Sequence, residues 1–305
     1  MKAAVYSKTK SGKRLEILDL PIPVPADNEV LVRIRTASVN PLDWRLKKSQ
    51  PGVDVAGHVH AIGRNVTQFK PGDAVFGACN GAFAEYGCAP ESKVVLKPDY
   101  VTFEQAASLP IAGLTALQAL RNIGRLQPGQ QVLINGAAGG VGTFAVQIAR
   151  FLGAQVTGVC STRNVDQALA LGAERVIDYT RSDFSTDGKL YDLLLDNVGN
   201  RTLSECKRIL APHGRCAMVG APKALGRFFV RLLKAIVSSP FTRQKFTFLV
   251  AKINKDDLNL LCELIRTGSL TPVIERSYPL SEVADAIAYV EAGHARAKVV
   301  INVEG

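Results

Sequence analysis

The sequence lacks any apolar run long enough to cross a bilayer, so no transmembrane helix is expected. No two of its cysteines (Cys79, Cys88, Cys160, Cys206, Cys216, Cys262) form a Cys-x-x-Cys pair. That argues against a structural zinc cluster and against a disulfide framework. Reduced thiols in a cytoplasmic protein are the simplest account. There is no internal repeat and no low-complexity tract. Met1 is followed at once by a strand-like stretch, Lys2 to Tyr6, so neither a signal nor a transit peptide is expected. Between Lys223 and Lys255 there is no Asp or Glu at all.

The 305 residues are enough for two domains, and 47% hydrophobic with 21% charged residues is the range of ordinary globular chains. Residues 1–108 read as mostly β. Val30, Val32 and Ile34 alternate with Arg33 and Arg35, which gives a strand with one wet face. Pro21, Pro23 and Pro25 make an extended lead, Pro71-Gly72-Asp73 a turn, and Gly57 and Gly63 bracket another short strand. Thr102 and Gln105 form a capping-box start for a helix ending near Pro110, and a second helix runs from about Gly113 to Arg121. Strands at 132–134, 156–159, 176–179, 191–196 and 216–219 then alternate with helical patterns, which gives a parallel doubly wound sheet. A helix over Asp256–Arg266, a last helix capped by Ser281 and a final strand over Lys298–Val303 close the chain.

The most informative stretch is Gln131 to Arg163. Val132–Ile134 runs into Gly136-Ala137-Ala138-Gly139-Gly140-Val141-Gly142, then Phe144, Ala145, Ile148, Ala149 and Leu152 recur at helical spacing. Val156–Val159 follows as a second strand. Glycine turn, helix start and strand context together fit a dinucleotide phosphate. Gly139 lets the backbone approach a pyrophosphate, and Gly142 lets the helix pack on the strand. An NAD site carries an acidic residue at the end of the second strand to hold the ribose 2′-OH. Here the run is Cys160-Ser161-Thr162-Arg163-Asn164, with no carboxylate before Asp166. Hydroxyls and an Arg suit a 2′-phosphate, so NADPH is the expected cofactor. Ser161 and Thr162 could at the same time cap the next helix.

Further segments carry a family resemblance. They are the opening Met1–Tyr6, Ala37–Asp43, Gly52–Gly57, Lys70–Asp73, Gly81–Tyr86, Gly113–Ala116, the Ala137–Gly142 turn, Asp196–Gly199 and Lys298–Val300. In this order they make the chain resemble the medium-chain dehydrogenase/reductase superfamily, in its zinc-free quinone-oxidoreductase (zeta-crystallin-like) branch. The resemblance implies an α/β fold: a Rossmann doubly wound parallel sheet inserted in a GroES-like β-rich catalytic domain. The corresponding boundaries are 1–108, 109–250 and a return to the catalytic domain over 251–305. It implies cofactor contacts from Ala138, Gly139, Gly140, Val141 and Gly142 at the pyrophosphate, and from Ser161, Thr162, Arg163 and Tyr179 around the 2′-phosphate. Asn197, Val198, Gly220 and Ala221 would hold the nicotinamide half, and Lys298 is grouped with the cofactor contacts. Thr115 and Asn40 would flank the nicotinamide.

Zinc-dependent relatives place a Cys where this chain has Asn40 and a His-Glu pair where it has Val53-Asp54, so no metal is expected. His58 and His60 share one strand face but lack a third ligand, and read as packing or surface residues. The family carries a longer loop where only Ser49-Gln50-Pro51 stands here. The expected reaction is hydride transfer from NADPH to a quinone or an α,β-unsaturated carbonyl. Without a Lewis acid, the developing oxyanion needs hydrogen-bond donors. Asn40 and the cofactor ribose hydroxyl are the candidates, with Asp43 and Tyr86 as possible proton donors that are equally open to structural roles. An NADP-linked alcohol dehydrogenase is the alternative within enzymes. The alternative outside them is a membrane-surface protein of the same fold. Lys223, Arg227, Arg231, Lys234, Arg243, Lys245, Lys252 and Lys255 interleave with Phe228, Phe229, Leu232, Leu233 and Ile236 and carry much of the formal charge of +10. A homodimer contact or a lid over the substrate are the other uses for that segment. A small carbonyl or quinone is the expected substrate, and no nucleic acid is expected as a partner.

Overall fold

A computed structural model describes residues 1–9, 12–45, 48–219, 243–293 and 295–303. The expected contacts at Gly220 and Ala221, and the basic segment from Lys223 through residue 242, lie outside these residues. The chain divides into two units. The first comprises Met1–Leu114, Lys252–Gly268 and Pro272–Gly305; the second comprises Thr115–Ala251 and Ser269–Thr271. The divisions at 114/115 and 251/252 stand against 108/109 and 250/251 in the sequence reading.

In the first unit, β1 (Lys2–Thr9) and β2 (Gly12–Asp19) form an antiparallel pair. The main sheet is organised on β3 (Glu29–Ser38). Its valines and Ile34 are buried while Arg33 and Arg35 are exposed, as the alternation demands. One edge of β3 pairs with β4 (Asp54–Ile62). The other is shared by β6 (Tyr86–Pro90), against residues 29–33, and β15 (Lys298–Asn302), against Thr36–Ser38. With β5 (Ala74–Ala78), β7 (Val94–Leu96) and β14 (Ile274–Pro279) the order is β14-β15-β3-β4-β5-β7. Gly57 does not bound a strand; it lies inside β4, where a Cβ would stand 2.1 Å from the Arg33 carbonyl oxygen. Close strand approach, not a turn, is the reason for that glycine.

The short helix α1 (Leu42–Arg45) follows β3. The expected capping box opens α2 (Phe103–Ser108): the Gln105 N–H donates to Thr102 Oγ1 and the Thr102 N–H to Gln105 Oε1. Next, α3 (Pro110–Gln118) starts on a proline, three residues before the expected glycine, because a first-turn proline sacrifices no helical hydrogen bond. After these come α7 (Lys255–Arg266), capped by Asn254, and α8 (Val283–Glu291). Ser281 does not cap α8. It sits within a 3-10 turn, Leu280–Glu282, and no side-chain cap is made there.

The second unit is a six-stranded, wholly parallel sheet. Its strands are β8 (Gln131–Asn135), β9 (Gln155–Cys160), β10 (Arg175–Asp178), β11 (Tyr191–Asp196), β12 (Leu210–Met218) and β13 (Lys245–Phe248), in the order β10-β9-β8-β11-β12-β13. Counted along the unit that is 3-2-1-4-5-6, the Rossmann order, with the switch at β8. The helices α4 (Gly140–Phe151), α5 (Val165–Ala170) and α6 (Leu203–Arg208) connect successive strands. The strand β13 is absent from the sequence reading, which treated Lys245 and its neighbours only as part of a basic tract. No helix among the described residues is long and apolar enough to cross a membrane.

Candidate active site

In the second unit, the end of β8 and the start of α4 build the glycine turn. The backbone folds back at Gly136, φ +82°, a conformation that a side chain resists. Gly142 has no room for a Cβ, which would meet the Gly136 carbonyl oxygen at 2.0 Å and Ala137 at 2.7 Å. Gly139 differs. A Cβ there would touch only the Gly136 oxygen, at 3.5 Å, so the space above it is open. Gly139 is the N-cap residue of α4 and has no side chain with which to satisfy the helix's first N–H groups. A bare backbone cradle at a helix N-terminus suits a pyrophosphate. Ala138 is buried beneath it, and Gly140 and Val141 are partly exposed beside it.

The neighbouring loop is held by Asp196, a residue that the sequence reading did not assign to the site. It is 1% exposed at the end of β11. Its Oδ1 accepts the Asn135 side-chain amide at 2.9 Å, the Gly199 N–H at 2.9 Å and the Val198 N–H at 3.3 Å. This folds 197–199 over the glycine turn: a Cβ on Gly136 would stand 2.9 Å from Val198 Cγ2. A lone carboxylate ending the apolar run Leu193–Leu195 was the available signal. Asn197 then presents a side-chain amide whose Oδ1 and Nδ2 are both buried and have no hydrogen-bond partner. Such an orphan is costly unless a ligand completes it. The open Gly139 cradle and the orphaned Asn197 amide together fit a dinucleotide carrying an amide-bearing ring. Thr115, in α3, is buried.

At the end of β9 the arrangement departs from expectation. Ser161 and Thr162 make no side-chain helix cap; a 3-10 turn, Thr162–Asn164, precedes α5. Ser161 Oγ accepts from Asn164 Nδ2 at 3.2 Å, and Thr162 Oγ1 donates to Asp178 Oδ2 at 2.6 Å. Arg163 and Tyr179 are exposed.

In the first unit, Asn40, Asp43, Asp54 and Lys298 form a closed polar cluster, each no more than 3% exposed. Lys298 Nζ donates to Asn40 Oδ1 at 2.8 Å and to the Val39 carbonyl at 3.3 Å, and lies 3.7 Å from Asp54 Oδ2. Asn40 Nδ2 donates to Asp54 Oδ2 at 2.8 Å and to the Ser38 carbonyl at 3.2 Å. Asp54 also accepts the Ser38 hydroxyl at 2.8 Å and the Ile111 N–H at 3.0 Å, in the first turn of α3. Burial raises the Asp54 carboxyl and lowers the Lys298 ammonium, and each opposes the other's shift. Three donors on Asp54 favour its ionised form. Burial pushes Asp43 up to about 7. The Asn40 and Gly52 N–H groups that it accepts, at 2.7 and 3.1 Å, and Lys298 restrain the rise, while Asp54 adds to it.

Two expected ligand contacts have protein partners in this geometry. The Asn40 amide hydrogens are directed to Asp54 and the Ser38 carbonyl. The Lys298 ammonium is held by Val39, Asn40 and Asp54. Asp43, named as a possible proton donor, braces two backbone N–H groups. The ring of Tyr86 packs edge-on against His60, and the ring of His58 lies tilted against Phe103. A cavity of about 480 Å³ in this unit is lined by Met1, Leu20, Glu29, Gln50 and Tyr86 among others, and by none of Asn40, Asp43 or Lys298.

Two family descriptions match: "Alcohol dehydrogenase GroES-like domain" over residues 26–99 and "Zinc-binding dehydrogenase" over 171–301. Zinc does not fit the residues present. The place between Asn40 and Asp54 is held by a lysine ammonium, and among the described residues no three His, Cys, Asp or Glu side chains converge. The chloroplastic quinone-oxidoreductase QR1 of Triphysaria versicolor is 35% identical, over 99% of this chain and 98% of its own. The quinone oxidoreductase structure from Coxiella burnetii superposes with a TM-score of 0.88 at 30% identity, covering 100% of this chain and 99% of that one. That of Escherichia coli quinone oxidoreductase complexed with NADPH gives 0.85 at 25% identity, covering 99% of each chain. A Rossmann sheet with an open glycine cradle, a GroES-like β unit whose metal position is closed by Lys298, and relatives matched end to end lead to one assignment: the chain belongs to the medium-chain dehydrogenase/reductase superfamily, in its zinc-free quinone-oxidoreductase branch.

Proposed function

We propose that the protein is an NADPH-dependent, zinc-independent oxidoreductase that reduces a quinone or an α,β-unsaturated carbonyl. The observation that carries this reading is the pairing of the open Gly139 cradle with the unpartnered Asn197 amide. The Escherichia coli relative, complexed with NADPH, supports the choice of cofactor. Bound NADPH supplies the hydride. Gly139 and the N–H groups opening α4 would hold the pyrophosphate, and the Asn197 amide would hydrogen-bond the nicotinamide amide and so orient it. In an enone the β-carbon would accept that hydride, and water would supply the proton to the α-carbon. Asn40, Asp54 and Lys298 hold the ends of β3, β4 and β15 in this reading and take no part in proton transfer.

The test is loss of NADPH absorbance with a quinone and with an enone, alongside NADP reduction with simple alcohols. Turnover of a quinone or an enone, unchanged by a chelator, is expected. Turnover of alcohols alone would replace this reading with an alcohol dehydrogenase. A homodimer and a peripheral membrane contact through the basic segment are further parts of the proposal, tested by sedimentation alone and with anionic liposomes. A cytoplasmic location completes it, supported by six free thiols.

A further inference from the structure

The end of β10 adds a group to the ribose edge that the β9 run does not contain. Asp178 is in register with Cys160, the last residue of β9, so its carboxylate lies beside Ser161 and Thr162. Dinucleotides bind beyond the carboxyl ends of such strands. The Thr162 hydroxyl has one hydrogen, which goes to Asp178 at 2.6 Å. Towards a ligand, Thr162 therefore offers a lone pair, which welcomes a ribose hydroxyl and repels a phosphate oxygen. Asp178 also accepts the Thr180 N–H at 3.0 Å and the Thr180 hydroxyl at 2.7 Å, and Arg181 lies 3.5 Å away. These hydroxyls hold its carboxyl below the usual range, so it stays charged at neutral pH.

We propose that Asp178 is a specificity-determining residue. It sets a negative charge and a proton-withdrawn hydroxyl beside the 2′-position, which lowers the selectivity for NADPH and admits NADH as a second hydride donor. The inference rests on the dinucleotide reading above and deepens it. Ser161, whose Oγ accepts from Asn164 and keeps its own hydrogen to donate, and the Arg163 side chain favour the 2′-phosphate; Asp178 works against them.

The test is titration of the wild type, Asp178→Asn and Asp178→Ser with NADPH and with NADH, at low and high salt. Both variants keep a side-chain acceptor for the Thr180 N–H, so the turn is preserved. Removing one full charge from beside the 2′-phosphate position should tighten NADPH by at least about fivefold at low salt. NADH affinity should stay within about twofold, and the difference should shrink at high salt. A fall in NADPH and NADH affinity by the same factor, or no change in either, would overturn the proposal and leave Asp178 as a turn residue. The cofactor reading itself is judged on the wild type alone. A wild type that prefers NADH would sink the NADPH assignment, while the variant-to-wild-type ratio would still decide on Asp178.

Discussion

Lys298 Nζ donates to Asn40 Oδ1 at 2.8 Å across 258 positions of sequence, and this bond fixes which way the Asn40 amide faces. With its oxygen on a cation, the amide must point both hydrogens to acceptors, and Asp54 and the Ser38 carbonyl are those acceptors. Lys298→Met leaves Asp54 buried beside no cation. It should cost about 3–5 kcal/mol of stability, as breaking one partner of a buried pair does. Urea unfolding of the variant measures this, and an unchanged midpoint would show that the ammonium contributes nothing.

Asp43 should give the protein a pH dependence of known sign. Its folded value is about 7, well above that of an unfolded aspartate. The folded state therefore binds the proton more tightly, and the contribution is fully present below about pH 4 and lost as pH rises through about 7. Its full size is on the order of 4 kcal/mol. Unfolding free energies of wild type and Asp43→Asn between pH 4 and 8 should diverge with this slope, and parallel curves would rule it out.

Two neighbouring glycines should fail differently. Gly142→Ala drives a Cβ into the Gly136 carbonyl and Ala137, so poor folding is expected. Gly139→Ala meets nothing closer than 3.5 Å in the apo chain and should fold with a normal melting temperature. Its methyl group would occupy the pyrophosphate's place, so NADPH affinity should drop by tenfold or more, on the order of 1.4 kcal/mol. Calorimetry and cofactor titration on both variants separate the two effects.

Asn197→Ala removes two buried polar atoms that have no partner. The apo protein should therefore be no less stable, while NADPH binding should weaken by about tenfold through the lost amide contacts. A variant that melts lower yet binds NADPH normally would place Asn197 in the scaffold instead.

The nucleotide unit was legible because its signals are local. One strand, one glycine turn and one helix announce themselves within Gln131–Cys160, and the strand–helix alternation gives the other strands of the sheet except its edge strand β13. What escaped is of two kinds. The edge strand Lys245–Phe248 alternates, but it is four residues long and hidden in a basic tract, too short for that pattern to register. Side-chain commitments were the other. Asn40 and Lys298 were placed by resemblance at a ligand, yet which hydrogen goes to which acceptor depends on strands that meet only after folding. The same holds for Thr162, whose hydroxyl is claimed by a neighbour sixteen positions on.

The tandem pairing of β6 and β15 along one edge of β3 has a consequence for biosynthesis. As the chain leaves the ribosome, β3, β4 and β6 emerge early, while the strand that covers residues 36–38 of β3 comes only after the whole nucleotide unit has been made. Until then Asn40 and Asp54 await their cation, and a stretch of sheet edge stays open to other chains. The nucleotide unit can complete its own sheet first. A nascent chain halted before Lys298 should therefore protect the glycine turn from protease while leaving the GroES-like unit open to it and in need of a chaperone.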